Sequence, residues 1–450
     1  DISREIAPIY NEERQTDGVK LLYHDVETNR IGYVTALFDL SEIEEELLPY
    51  AGILQSVLGI IDTEHYGYGE LFNEINVHTG GIGTSLELYT DVTKVKEKEF
   101  RATFEIKGKA LDPKLDVLFA MMREILMESK LGDEKRLKEI LSMLKTRLQT
   151  SFLSAGHTTA VLRSLSYTSP IARFRDITSG IGFYEVVKDL EENFEERKEL
   201  LIENLKKIAG RIFRKENLML SYTSAQEGLA VLEKAVPQFA DSLHTGEKES
   251  HGQCIIHCKK RNEGFRTSSK VQYVARTGNF IDGGAEYTGA LQILKVILSY
   301  DYLWQNVRVK GGAYGCMSGF NRIGEGYLVS YRDPNLEKTM EIYEGVVDYL
   351  KNFDIDDRDM NKFIIGTISN LDRPMNPAAK GSRSLNLYMN RITEEMIRRE
   401  REQILDAQQE DIRGLATVLE AVLAAGELCV IGSEEKIEEA KEMFGEIRTL

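Results

Sequence analysis

Residues 307 to 316 read VRVKGGAYGC and place Arg308 and Tyr314 six positions apart on either side of Gly311 and Gly312. Both side chains donate hydrogen bonds, and the guanidinium adds a permanent charge. In an extended strand the two would share a face but stand roughly 20 Å apart, at ~3.3 Å per residue. The glycines can fold that distance up, because a residue without Cβ enters turns closed to other residues. The competing reading is a plain glycine turn between two strands, with Arg308 solvated and Tyr314 half buried.

Two further stretches raise metal chemistry. HGQCIIHC (251 to 258) packs two histidines and two cysteines into eight residues. Read as a strand, Cys254, Ile256 and Cys258 face one way and Ile255 and His257 the other, so the ligands do not converge as a tetrahedral zinc site requires. HYGYGELFNEINVH (65 to 78) supplies His65, Glu70, Glu74 and His78, but its spacing matches no zinc helix, and surface polar residues near a loop are the expectation. The glycine-rich pieces GGIGTS and KGGAYG lack the phosphate cradle of nucleotide-binding loops.

At 450 residues the chain is long enough for two or more domains. Its 42% hydrophobic and 29% charged content is that of a soluble globular protein. No apolar run approaches the ~20 residues needed to span a bilayer, and the first residues lack the features of a signal peptide, so the expectation is a cytoplasmic protein with no membrane partner. The chain begins at Asp1 rather than Met, as an excised segment, a processed product or the downstream part of a longer protein would. With 57 Lys+Arg against 73 Asp+Glu the net charge is -16, which repels nucleic acid. Four cysteines give no case for a disulfide framework.

The elements that must position Arg308 and Tyr314 read as two similar halves. In the first, residues 18 to 40 alternate like paired strands around Thr28-Asn29-Arg30, and residues 41 to 60 look helical from a Ser41 cap with Glu44 three residues on. Paired glycines then precede the alternating stretch at 82 to 91, a strand at 99 to 111 follows, and amphipathic helices close the half. The second half repeats the plan: strands at 254 to 260 and 270 to 278, a helix over 286 to 308, Gly311-Gly312, a strand at 326 to 334 and the helix 335 to 353. This gives an α+β fold of two duplicated domains, 1–236 and 254–450, each an antiparallel-rich sheet packed with helices and joined by a polar linker at 237–253.

Taken together, DISREI, TNRIGYVTALFDL, INVHTGGIGTSLELYTD and YLWQNVRVKGGAYG resemble the C-terminal half of the insulinase (pitrilysin) family of metallopeptidases, in the branch that contains presequence protease and falcilysin. The resemblance runs along most of the chain, and its last piece is the most specific, for that half carries an arginine and a tyrosine around a Gly-Gly-Ala segment. It implies catalytic roles for Arg308 and Tyr314 and substrate binding at Gly311, Gly312 and Ala313. It further implies a zinc-dependent oligopeptidase of four homologous (LuxS/MPP-like) domains in two bowl-shaped halves that close around unfolded peptides.

The family's zinc sits on an H-x-x-E-H helix of the first domain. At the corresponding place this chain reads Ala51-Gly52-Ile53-Leu54-Gln55, without imidazole or carboxylate. The expected arrangement is therefore a zincless third-domain-like unit followed by a fourth-domain-like unit, partnered by an N-terminal half that binds Zn2+. This chain alone would bind no metal and be inactive. The alternative is a noncatalytic insulinase-like binding or assembly subunit.

Overall fold

The computed structural model describes residues 2–450, and it resolves two six-stranded sheets. The first is built from β1 (Glu12–Thr16), β2 (Val19–Asp25), β3 (Ile31–Asp39), β4 (Ile82–Tyr89), β5 (Arg101–Leu111) and β6 (Leu218–Ser224). The second uses β7 (Glu263–Thr267), β8 (Tyr273–Asn279), β9 (Gly315–Phe320), β10 (Glu325–Tyr331), β11 (Glu427–Ser433) and β12 (Glu446–Thr449). Their orders are β1-β2-β6-β3-β5-β4 and β12-β7-β11-β8-β10-β9. Five strands of each sheet therefore follow one plan, with β2 matching β7 and β4 matching β9, as the duplicated pattern in the sequence predicts. The pairs β2–β6 and β7–β11 are parallel, and the shared pairs from β6 to β4 and from β11 to β9 are antiparallel.

Central strands β6 and β11 are buried almost along their whole length, which requires cover on both faces. That cover is exchanged between the halves. In the first, α1 (Leu48–Val57), α2 (Tyr68–His78), α3 (Leu115–Met127) and α4 (Glu134–Ser154) precede α5 (Gly156–Leu165), α6 (Pro170–Ser179), α7 (Ile181–Glu192), α8 (Phe194–Ile212) and α9 (Gln226–Asp241). The second half has α10 (Ala290–Tyr300), α11 (Glu337–Glu344), α12 (Val346–Lys351), α13 (Asp357–Leu371) and α14 (Pro377–Met389), then further helices before β11.

One face of the second sheet, with Tyr273, Ala275, Val329, Cys429 and Ile431, joins the core of the first half, where α5 lies across it. Reciprocally, α14 sets Leu385 against Leu22, Leu37 and Met219 on the first sheet. Both helices come very close. A Cβ added at Gly156 would meet the Tyr273 ring at 2.3 Å, and one at Gly381 would meet Thr223 Oγ1 at 1.9 Å.

A buried ion cluster ties the halves where α5 crosses. Arg163 Nε donates to Glu263 Oε1 at 2.7 Å and its Nη1 to Asp176 Oδ2 at 2.6 Å, all three side chains at 2% exposure or less. Burial alone would raise Glu263, but the hydrogen bonds and charge of Arg163 outweigh it and hold the carboxyl below its ordinary range.

Several local expectations are corrected. Ser41 caps no helix: its N–H and hydroxyl both go to Asp39, and α1 starts at Leu48, with Pro49 in the first turn where the missing N–H costs nothing. The stretch 254 to 260 is not a strand. It runs without regular pairing along the first half, where the Cys254 N–H donates to the Ser41 carbonyl at 2.8 Å and His257 meets Glu45 at 2.7 Å. Residues 68 to 78 form α2, and α9 continues through Pro237 to Asp241, into the segment read as linker.

Candidate functional site

The helix expected over 286 to 308 breaks after Tyr300, and the chain re-forms as a π-helical turn over Trp304–Val309. That wider turn presents Arg308 at its end. Its last carbonyls are capped by the next residues along the chain: the Gly312 N–H donates to the Arg308 carbonyl at 2.8 Å and the Ala313 N–H to the Val307 carbonyl at 3.1 Å. Gly312 sits at φ 85°, in the left-handed region, and a Cβ on Gly311 would lie 2.5 Å from the Val307 carbonyl. Asn335 Nδ2 donates to the Gly311 carbonyl at 2.6 Å and fixes the loop from the far side. Ala313 is buried, so of the Gly-Gly-Ala segment only the glycine backbone is open to a ligand.

The chain then enters β9, the edge of its sheet. The Tyr314 N–H donates to the Tyr331 carbonyl at 3.1 Å, which directs the phenol outward at 68% exposure. The turn brings the expected pair together. The guanidinium carbon of Arg308 lies 5.9 Å from the Tyr314 ring centroid, far inside the extended-chain span. Arg308 is exposed rather than ion-paired, and Tyr314 is more open than the half-buried alternative allows.

Sequence reasoning missed the residues that hold these two. The guanidinium of Arg308 stands over Trp304, 4.1 Å from the ring centroid. Trp304 is the chain's single tryptophan and lies four residues upstream, a helical neighbour spacing that was the available signal. On the other side Tyr331 packs edge-on against Tyr314 at 6.0 Å, and its hydroxyl donates to the Ser154 carbonyl at 3.2 Å at the end of α4. His157, opening α5, meets the Tyr331 ring at 4.9 Å, and burial lowers its pKa. The first half thus buttresses a site whose donors come from the second.

The duplicated plan offers an internal comparison. Gly80 and Gly81 precede β4 as Gly311 and Gly312 precede β9, and Gly81 also has a positive φ, 109°. At the places of Arg308 and Tyr314 the first half carries Val77 and Gly83. The turn is repeated; the donors are not.

The residues do not fit a zinc ion. On α1, Ala51, Ile53 and Leu54 are core residues, and Gln55 donates to the Thr84 carbonyl at 3.0 Å. Among the described residues no group of three or more His, Cys, Asp or Glu could hold a metal. His65 pairs with Glu124 at 3.0 Å, whereas His78 pairs with Glu74 at 3.3 Å, and Glu70 accepts from the Gly67 N–H at 3.3 Å. Among the described residues no helix is long and apolar enough to cross a membrane.

The family model described as associated with peptidase M16, subgroup C, matches residues 1–190, and that described as the PreP C-terminal domain matches 262–434. The chain is 37% identical to protein HypA of Clostridium perfringens over 452 residues, covering 100% of this chain and 46% of that protein. It is 30% identical to presequence protease 1, chloroplastic/mitochondrial, of Arabidopsis thaliana, covering 98% of this chain and 41% of that one. It therefore spans about half the length of the curated relatives it matches. A peptidase M16 inactive domain from Pseudomonas fluorescens superposes with TM-score 0.63 at 12% identity, over 94% of this chain and 98% of that one. A conserved protein from Enterococcus faecalis gives 0.64 at 14%, over 94% and 99%. With the shared fold and these matches along both halves, the chain belongs to the insulinase (peptidase M16) family, as a C-terminal half of the presequence-protease type.

Proposed function

We propose that this chain is the substrate-gripping half of a zinc-dependent oligopeptidase that degrades unfolded peptides in a closed chamber. The observation that supports this most is the approach of Arg308 to Tyr314 on an exposed sheet edge. The metal would belong to an N-terminal partner half, where it would supply the Lewis acidity for hydrolysis.

The donors define the chemistry of these residues. The Tyr314 O–H donates to the scissile carbonyl oxygen as negative charge gathers there; one preorganised donor of this kind lowers a barrier by ~3 to 4 kcal/mol. Arg308, steadied by Trp304, holds a neighbouring backbone carbonyl and fixes the register of the peptide. The open backbone of Gly311 and Gly312 lets the peptide approach without a side chain in the way. Since both donors come from this half, the site is complete only when the two halves close, which also excludes water.

Mixing this chain with the zinc-bearing half and assaying a quenched peptide tests the reading. Cleavage is expected from the mixture and from neither half alone. Zinc-dependent cleavage by the isolated chain, or none by a correctly assembled pair, would overturn it. The latter outcome would favour a noncatalytic binding or assembly subunit.

A further inference from the structure

Arg308 faces two ways. Beyond its contact with Tyr314 it borders a cleft of about 600 Å³ between α10, the end of α13 and the start of β9. Two more cations, Lys295 and Arg373, line that cleft, and no aspartate or glutamate does. Among the described residues none of the three is ion-paired, although the chain carries net charge -16 and its surface is laced with salt bridges. Asp372, next in sequence to Arg373, is engaged by Arg401 at 2.7 and 2.9 Å. Arg373 Nη2 instead donates to Asn370 Oδ1 at 2.9 Å, a neutral acceptor that orients the fork without discharging it.

Cations gathered in one cleft repel one another unless an anion joins them, and in an acidic chain such a local excess of positive charge selects its ligand by sign. Trp304 and Leu371 supply apolar wall beside the charges, which suits a group carried on a carbon chain rather than a bare inorganic ion. Resting on the reading that Arg308 and Tyr314 hold a peptide, we infer that this cleft is a subsite for a carboxylate of that same peptide. Aspartate and glutamate side chains and a free C-terminus share this chemistry, and a guanidinium receives either in two-pronged fashion.

The cleft contains the chain's only tryptophan, so Trp304 fluorescence reports its occupancy directly. The 450-residue chain is titrated with four peptides of one sequence: capped and neutral; with an internal glutamate; with glutamine in its place; and neutral with a free C-terminus. A carboxylate-dependent change in emission is expected, and whichever charged peptide gives it identifies the source. The double substitution Lys295→Gln/Arg373→Gln, on exposed side chains outside the proposed catalytic pair, should weaken that peptide ~10-fold and leave the neutral one unchanged. Four indistinguishable titrations, or a variant that binds charged and neutral peptides as wild type does, would overturn the subsite.

The two readings fail separately. If Tyr314→Phe leaves turnover of the assembled enzyme intact while the carboxylate-dependent emission persists, the donor role of Tyr314 falls and the subsite stands. If Tyr314→Phe cripples turnover while emission ignores charge, the subsite falls alone.

Discussion

The guanidinium of Arg308 stands 4.1 Å from the centre of the Trp304 indole ring, one helical turn back along the chain. A long, flexible side chain on a surface turn is thereby given one wall to lean on. At an exposed site such a stack contributes ~0.5 to 1 kcal/mol. Trp304→Ala in the assembled enzyme should therefore lower kcat/KM ~2 to 5-fold, chiefly through KM, and Trp304→Phe should restore part of it. Steady-state kinetics on a neutral peptide would check this; an unchanged KM in the alanine variant would count against a positioning role.

Removing the phenol O–H tests the other donor. Tyr314→Phe keeps the ring and its packing on Tyr331. Turnover should drop about 10² to 10³-fold with little change in substrate affinity, because the lost bond is made to charge that exists only in the transition state. Single-turnover cleavage of a quenched peptide is the measurement.

The cluster of Arg163, Glu263 and Asp176 makes stability depend on one buried side chain. Arg163→Ala would remove the buried cation between the two carboxylates and leave Asp176 only the partly exposed Arg173, and Glu263 only the partly exposed Arg448, at a cost of about 3 to 5 kcal/mol. Urea denaturation at neutral pH would report it.

Acidity gives the same cluster a signature. Glu263 is held below its ordinary pKa in the folded state, so its contribution is fully present above the unfolded value of about 4.3 and disappears as pH falls through the lower folded one. In Arg163→Ala the carboxyl keeps its burial and loses the Arg163 hydrogen bonds and charge that hold its pKa down, so acid should relieve rather than worsen the defect. The gap between the two proteins should be widest near neutrality and narrow below pH ~4, as seen by melting temperature.

The docking of α14 can be probed at one atom. Gly381→Val places carbon where Thr223 Oγ1 now sits, and overpacking of this kind costs about 1 to 3 kcal/mol. Its urea midpoint should fall, and combining it with Thr223→Ala should recover part of the loss.

Much of this architecture was legible in the residues. The alternation in β3 and β5 and the turn at Asn29 and Arg30, both at positive φ, accord with periodicity and turn chemistry. So does the repeat of a Gly-Gly turn before an edge strand. What the sequence could not display was the exchange of cover: α5 and α14 look like ordinary amphipathic helices, and nothing local says that each belongs on the other half's sheet. CIIHCKK misled for a related reason. Cys254 and Ile256 pack on the first half as an unpaired strip while Ile255 faces out, and a short apolar run reads as a strand whether or not a partner edge is free. At the site, Arg308 and Tyr314 were visible by type. Lys295 and Arg373 were not, because they converge from α10 and from just beyond α13, far apart along the chain.

The traded helices also govern what the polypeptide can survive. A protease cut in the stretch between Asp241 and Glu263 would divide the molecule neatly by sequence but not by structure, leaving each product with one greasy sheet surface bare. Neither fragment could stand as a soluble unit until it recaptured the other, so loss of the whole assembly under heat or denaturant should be a single event rather than two.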